Sequence, residues 1–495
     1  MAWTPTFSAA LGESIVRLEL RVGTTGTAHM LIAPQTWSET WRAGRAEIVQ
    51  GGLELEGEDL SLPDVSTTHG GFTVRLLGSA LATTADRVRP GVILEVNAAL
   101  PAIGKVGATF ERLAVGVVES VGAPGSGEVE IVAQGLGALL GGRLDTTTTD
   151  PALFASAGTV LTQVDASYAP GDTTITVVDT SGWADLDNYG IYYLRVGSNI
   201  LRATGRPSAT TFTGVTGGRL GTTDASASAA DDVEMIACLY GHPIEETYKL
   251  LTSTGLGTNG PNDVLPQDWG LAMPSALVDR TTVDVLRTAL GIGSWEVEMW
   301  SDAPVSNPLA WLEGYLAPLG FFVTLRQGQI AVRAVPKMTT WPVFADIVET
   351  DWIADEPPDL EIYDTQDSVE YGTWRALNTV GAVISVLVEA IRTVPAERYA
   401  DVTLEGLYEN QVSTAVEIEA RTATWYTRRS GLITGTLAGL RWAALAPGDV
   451  VTVTHSRFRQ DDGTAFTSVR CLVLSAVPAY DDARVAVTLK VPGTA

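Results

Sequence analysis

Basic residues are scarce in this chain. Its 495 residues include 32 Lys and Arg against 58 Asp and Glu, a formal charge of −26. Such a surface repels polyanions and argues against gripping nucleic acid through phosphate contacts. It is compatible with a wall past which a polyanion slides, although an acidic surface that only keeps the protein soluble is the simpler reading. Cysteine is nearly absent. Cys238 and Cys471 lie far apart, each in an apolar strand-like run, which predicts buried free thiols in place of a disulfide framework. The four histidines, His29, His69, His242 and His455, show no metal-ligand spacing, and no paired Cys/His zinc motif is present. Gly104-Lys105-Val106 lacks the hydroxyl of a phosphate loop, and there is no Gly-x-Ser-x-Gly elbow for a nucleophile. No apolar run reaches the roughly 20 residues that span a bilayer. Met1-Ala2-Trp3-Thr4-Pro5 lacks the basic and apolar regions of a signal peptide, so the expectation is a protein made and folded in a cytoplasm. Together these absences predict no catalytic residues, no cofactor-binding residues, no metal ligands and no cofactor. A carboxylate pair for glycoside hydrolysis gets little weight, because among 58 acidic residues some pair lies close whatever the function.

Glycine, valine and threonine are plentiful, with 50 glycines, and apolar residues make up 45% of the chain. That composition favours strands and turns over helices, with folded cores throughout. The length predicts three or four domains. Thirteen tryptophans, among them Trp311, Trp352, Trp425 and Trp442, are spread over the whole chain, which points to core or interface packing and not to a sugar-stacking surface. Asp461-Asp462-Gly463 and Asp481-Asp482 read as hairpin turns, since a calcium loop needs a longer ladder of ligands.

The chain is organised around its last stretch. Pro447-Gly448-Asp449 opens it, and strand-like runs follow at Val450 to Thr454, Val469 to Val477 and Val485 to Val491. An earlier echo begins at Pro90-Gly91 and continues at Val92 to Val96, Leu113 to Val121 and Val129 to Ala133. The turn glycines are offset by 357 residues (448 − 91), and the later runs, Leu113 with Val469 and Val129 with Val485, by 356. Order and spacing both repeat, which favours a duplicated domain over two unrelated β-meanders.

The remaining segments divide accordingly. Residues 1–143 form a first β domain, with an alternating strand at Ser14 to Val22. Residues 144–238 hold a linker and a small β insertion module over Tyr168 to Cys238, closed by a strand from Val233 to Leu239. An α+β middle domain follows at 239–349. Its helices are marked by Ile244 to Leu251, by Val283 to Leu290, and by Pro308 to Leu316 with Asn307 as cap. A hairpin over Leu319 to Val335 completes it. Residues 350–495 carry an apolar strand within Asn378 to Thr393, a helix from Val412 to Arg429 with a Glu417–Arg421 pair, and the second copy of the repeat. The predicted fold is mainly β with an α+β middle domain, multi-domain, with two duplicated domains and a small β insertion.

Three stretches together resemble the central tail hub proteins of tailed bacteriophages and gene transfer agents, found at the baseplate hub or tail tip. They are Arg421-Thr422-Ala423-Thr424-Trp425-Tyr426 followed by Leu440 to Val451 with its Pro-Gly-Asp turn; the helix and hairpin Leu309 to Val335; and the module segment Gly214 to Val233. They lie in the last two thirds of the chain, and the first domain joins them through the repeat. The resemblance implies β-barrel-like hub domains and a structural virion protein, not an enzyme. It implies a homotrimer at the distal end of the tail, assembled in the host cytoplasm. Its partners would be the tail tube protein, the distal tail protein, the tape measure protein and tail fibre or tip proteins, with genomic DNA passing through without specific binding. The alternatives are an extracellular β protein that binds glycans and a tail-associated cell-wall hydrolase.

Overall fold

The computed structural model describes residues 17–22, 48–62, 65–77, 90–91, 93–99, 111–122, 127–141, 160–181, 191–235, 238–252, 271, 273, 275–280, 297–300, 307–362, 371–377, 383–387, 399–404, 421, 425, 431–460, 462–480 and 482–492. The expected helix around Val283 to Leu290 lies outside them, as does nearly all of the one expected from Val412 to Arg429.

The first domain supplies β1 (Arg17–Val22), β2 (Ile48–Leu55), the short hairpin β3 (Asp59–Ser61) and β4 (Ser66–Thr68), β5 (Phe72–Leu77), β6 (Ile93–Ala99), β7 (Glu111–Gly122) and β8 (Glu128–Gln134). Six of these form one sheet in the order β1-β6-β7-β8-β5-β2, every neighbour antiparallel. Helix α1 (Leu136–Gly141) follows directly.

The insertion module has β9 (Val160–Gln163), β10 (Thr174–Thr176), β11 (Tyr192–Val196), β12 (Asn199–Ala203), β13 (Gly205–Ser208), β14 (Thr211–Thr213) and β15 (Asp232–Met235). They make two small sheets, β12-β11-β15-β9 and β10-β14-β13. Ile175, Leu194, Leu201, Phe212 and Val233 fill a separate core of its own. Asp224 knits its loops, accepting from the Tyr168 hydroxyl (3.1 Å), Asn199 Nδ2 (3.0 Å) and the Gly171 amide (2.9 Å). The expected closing strand Val233 to Leu239 is in fact two. β15 closes the module, whereas β16 (Cys238–Gly241) pairs with β17 (Val297–Trp300) in the middle domain. The uninterrupted apolar run conceals a change of sheet.

In the middle domain, helices α2 (Pro243–Thr252) and α3 (Pro308–Leu316) precede the hairpin β18 (Phe321–Arg326) and β19 (Gln329–Ala334). Asn307 caps α3 by accepting from the Ala310 amide, with Pro308 in the first turn, as the sequence predicts.

The second sheet uses β20 (Val343–Val348) and β21 (Asp359–Ile362), and then, beyond a separate three-stranded sheet of β22 (Tyr371–Leu377), β23 (Val383–Leu387) and β24 (Tyr399–Leu404), it uses β25 (Gly431–Ala438), β26 (Val450–Arg459), β27 (Ala465–Ala479) and β28 (Arg484–Val491). Its order is β20-β26-β27-β28-β25-β21. Numbered from each sheet's own first strand, both sheets read 1-4-5-6-3-2. Among the described residues each path of six strands is open, half of a barrel and not a closed one, and the β3–β4 hairpin joins the second sheet through β27, making it eight-stranded.

The correspondence extends to details. Gly91 and Gly448 both adopt left-handed backbone, φ +87° and +86°. Their amides donate to equivalent carbonyls, Val118 and Val473. A bulge falls between Val118 and Ser120 in one sheet and between Val473 and Ser475 in the other. The ladders also correct one alignment. Ile93 faces Val117 and Val450 faces Leu472, so the middle strands are offset by 355 residues (472 − 117), not 356. A one-residue slip matters in a strand because it exchanges the two faces.

One face of each sheet enters a shared core. Leu94, Val96, Val118, Ile131 and Ala133 of the first sheet match Val451, Val453, Val473, Val487 and Leu489 of the second, all in that core. This inward set is the period-2 pattern that an antiparallel sheet with one buried face requires.

Candidate functional site: the junction of the two sheets

Hairpin β18–β19 joins the middle domain to both copies. Its alternation sends Phe321, Val323, Ile330 and Val332 into a core with Val115, α1 and α3 on the first copy's side. Phe322 and Val335 go the other way, into a cluster with Val450, Leu472 and Trp425 on the second copy's side. Strand geometry makes this possible, since successive side chains leave opposite faces. Full burial of each phenylalanine contributes about 2–3 kcal/mol.

On the second copy's side the hairpin also carries charge. Arg333 Nη2 donates to Asp449 Oδ1 at 2.7 Å, with both side chains 6% exposed, and Arg326 lies 3.8 Å from the same oxygen. Asp449 Oδ2 accepts from the Ala446 amide at 2.9 Å, which closes the Pro447-Gly448-Asp449 turn. The turn that opens β26 is therefore fixed by the hairpin's arginine. A Cβ on Gly448 would lie 2.9 Å from the Phe322 ring, whereas one on Gly91 would meet nothing within 4 Å. Above the hairpin, Arg421 is fully buried, donates to the Leu319 carbonyl at 2.9 Å and packs over the Phe321 ring. Trp425 Nε1 donates to the Pro336 carbonyl at 2.8 Å. Arg421 and Trp425 therefore clamp the hairpin; Glu417, the expected partner of Arg421, lies outside the described residues.

On the first copy's side one link is a half-buried histidine. His69 Nε2 lies 2.9 Å from Glu313 of α3, and its Nδ1 lies 3.4 Å from Glu58. Glu58 also accepts from the Leu325 amide at 2.9 Å and from the Thr324 hydroxyl, and Thr67 donates to Glu313 at 3.0 Å. Burial opposes the charged imidazolium, but hydrogen bonds to Glu313 and Glu58 and their charges outweigh it and raise the pKa to about 9. At neutral pH this is a charged, three-residue latch between the β3–β4 hairpin and the middle domain. β3 reaches further still, since Asp59 pairs with Ser475 on β27.

A cavity of about 100 Å³ sits where these parts converge, lined by residues including Leu55, Phe72, Leu325, Ala444, Pro447 and Tyr480. Its lining is mixed, with Glu56, Glu58 and Arg326 beside the apolar residues, and burial pushes the Tyr480 hydroxyl well above its ordinary range. The other described histidines have local partners. His242 Nδ1 accepts from the Ile244 amide at the start of α2, and His455 stacks on Phe458 at 4.1 Å. No group of His, Cys, Asp and Glu suited to a metal is present among the described residues. Cys238 and Cys471 are buried free thiols, as expected. Asp462 accepts from the amide and hydroxyl of Thr464 in the β26–β27 turn, also as expected. Trp352, Trp425 and Trp442 are buried in the cores. No described helix is long and apolar enough to cross a membrane.

Sequence reading missed His69, whose partners lie 11 and 244 residues away, and Arg333–Asp449, 116 residues apart. The only local signal was the Pro-Gly-Asp turn itself.

No protein-family model and no curated protein matches the sequence. Among solved structures the chain is similar to the tail protein from Neisseria meningitidis MC58, with 11% identity and a TM-score of 0.39 over 96% of each chain. It is similar to the 43 kDa tail protein of prophage MuSo2 from Shewanella oneidensis, with 10% identity and a TM-score of 0.36 over 98% of this chain and 100% of that one. It is similar also to prophage tail protein gp18 from Listeria monocytogenes EGD-e, with 8% identity and a TM-score of 0.35 over 96% of this chain and 94% of that one.

Proposed function

We propose that this chain is a structural subunit of a phage-type tail, forming the trimeric hub at its distal end. The single observation that carries the reading is the duplication of one six-stranded sheet, with strand order 1-4-5-6-3-2 in both copies. Closed homo-oligomers obey point symmetry, and three chains that each present two similar units offer six units around one axis. Such a trimer can join a hexameric tail tube and distal tail ring above it to a three-fold tip or fibres below. The units would be residues 1–143 and 350–495 as hub domains, 239–349 as the connector that lends β20 to the second sheet, and 144–238 as a peripheral insertion. The module's separate core supports the last assignment. The net charge of −26 suits a lumen through which the tape measure protein and genomic DNA leave without adhering.

The reading assigns no catalysis. The test has two parts. Light scattering on the purified full chain gives three times 52.3 kDa if the reading holds. Gold-labelled antibody then decorates the distal end of the tail. Six copies per particle would contradict the reading. Hydrolysis of cell-wall sacculi that disappears on changing one acidic pair would replace it with a hydrolase.

A further inference from the structure

The cavity at the junction is walled by segments far apart in sequence: both stems of the β3–β4 hairpin, the turn from Leu325 to Gly328, and Tyr480 just after β27. At about 100 Å³ it has room for a group of roughly four to six heavy atoms. Two buried donors in its lining have no acceptor among the described residues. The Tyr480 side chain is 9% exposed, and its hydroxyl makes no hydrogen bond there. Arg326 Nε is closed to solvent and likewise unbonded. Donors buried in this way are costly unless something bonds them. Arg326 is also short of compensating charge, because the Asp449 oxygen 3.8 Å from it is already held by Arg333 at 2.7 Å. Burial and the like charge of Arg333 keep the Arg326 pKa below its ordinary value, against the pull of Asp449 and Asp279. The two carboxylates in the lining are both engaged. Glu58 is held by His69, Thr324 and the Leu325 amide, and Glu56 Oε2 accepts from the Gly71 amide at 2.9 Å. The cavity therefore offers two donors, one of them cationic, beside apolar walls that include Phe72, Leu325 and Pro478.

We propose that this cavity binds one carboxylate group carried on a short apolar body. The carboxylate accepts from Tyr480 and Arg326, and the apolar walls take the body. Hydrogen bonds between a guanidinium and a carboxylate belong to the strong, charge-assisted class. The net charge of −26 gives no general attraction for anions, so such binding is local to the site. The carboxylate comes either from a free small acid or from the carboxyl end of a polypeptide. Neither source depends on the number of chains in the assembly.

The experiment titrates the full chain with sodium propionate at constant ionic strength, read by calorimetry, with propionamide as the uncharged match. Propionate is expected to bind saturably, about tenfold or more tightly than propionamide. Tyr480→Phe removes one donor and keeps the ring, and it should weaken propionate about tenfold. Arg326→Gln removes the charge and should abolish binding. Ala476→Leu fills the cavity from β27 and should also abolish it, with unchanged near-UV circular dichroism. If either of these two variants alters the dichroism, Tyr480→Phe decides alone. The second arm compares N-acetyl-glycyl-alanine with its C-terminal amide. Binding of this peptide acid without propionate supports the site and assigns a polypeptide terminus to it, whereas propionate without the peptide assigns a free acid. Binding of neither acid, equal binding of an acid and its amide, or undiminished binding by Tyr480→Phe overturns the proposal.

Discussion

The two sheets share strand order, turn glycine and bulge, yet the chain joins them to their surroundings by different means. The outward face of the first copy meets helices and hairpin through an apolar cluster that holds both Val115 and Val323, and its polar links include the His69 latch and Arg112, whose Nη1 donates to the Ala276 carbonyl at 2.7 Å. The second copy meets the same hairpin through an ion pair, Arg333 with Asp449, built into the turn that starts β26. Position 449 corresponds to Val92 in the first copy, at the glycine's offset of 357 (449 − 92). A duplicated fold thus keeps its strand order and inward core while its contacts with the middle domain differ. The first pairing differs too, antiparallel between β1 and β6 but parallel between β20 and β26.

Removing the ion pair gives the largest expected effect. Asp449→Ala leaves Arg333 buried without its carboxylate, at about 3–5 kcal/mol. Hydrogen exchange should then rise in β26 and β27 with little change in β6 and β7; equal loss in both sheets would show that the copies are not held separately.

The turn glycines sharpen the contrast. Gly91→Ala carries only the left-handed strain of about 1–2 kcal/mol. Gly448→Ala carries that strain together with a clash at Phe322, for a total of about 2–4 kcal/mol. Urea unfolding of both variants measures the gap, and equal losses would contradict the wedge geometry.

The latch should respond to pH, and only on the first copy's side. The folded pKa of His69, about 9, is raised above the ordinary 6.5, so its stabilisation is full below pH 6.5 and is lost as pH rises through about 9. The change is below roughly 3 kcal/mol, since the Glu313 side chain is 30% exposed and solvent screens its part of the pair. Exchange protection of Leu60 and Thr67 should fall between pH 7 and 10 in the natural chain. His69→Gln should remove that extra pH dependence, and a steep fall that survives in the variant would assign it elsewhere.

Asp462→Ala gives the smallest effect. It loses two hydrogen bonds in an exposed turn, for less than about 1 kcal/mol, and leaves the first copy untouched. A larger loss would mean that the β26–β27 tip is part of a core.

Much of the β framework was legible because one-sided sheets write themselves as alternating valines, and Pro-Gly turns mark where strands begin. The register was less so. Paired residues of the first hairpin are 24 apart in one copy (117 − 93) and 22 in the other (472 − 450), and those of the second are 15 (133 − 118) and 16 (489 − 473), so the offset moves from 357 to 355 and then to 356 and one constant offset misplaces the middle strand. Val233 to Leu239 read as one strand because composition does not record that Met235 ends one sheet and Cys238 begins a strand of another. The junction was almost illegible. His69, Glu58 and Glu313 are ordinary polar residues in sequence, and only the approach of the β3–β4 hairpin to α3 and β18 makes them a buried cluster. Arg421 had an available helical neighbour in Glu417, which hid its actual contact with Leu319 and Phe321.

The central claim is that two copies of one sheet in each chain let three chains present six equivalent units. Electron cryomicroscopy of the purified assembly, averaged with three-fold symmetry only, tests it most directly. The account predicts three chains whose six sheets superpose after rotations of about 60° around the axis, first and second copies alternating. Three chains whose two sheets lie at unrelated radii, or a ring of six chains, would contradict it.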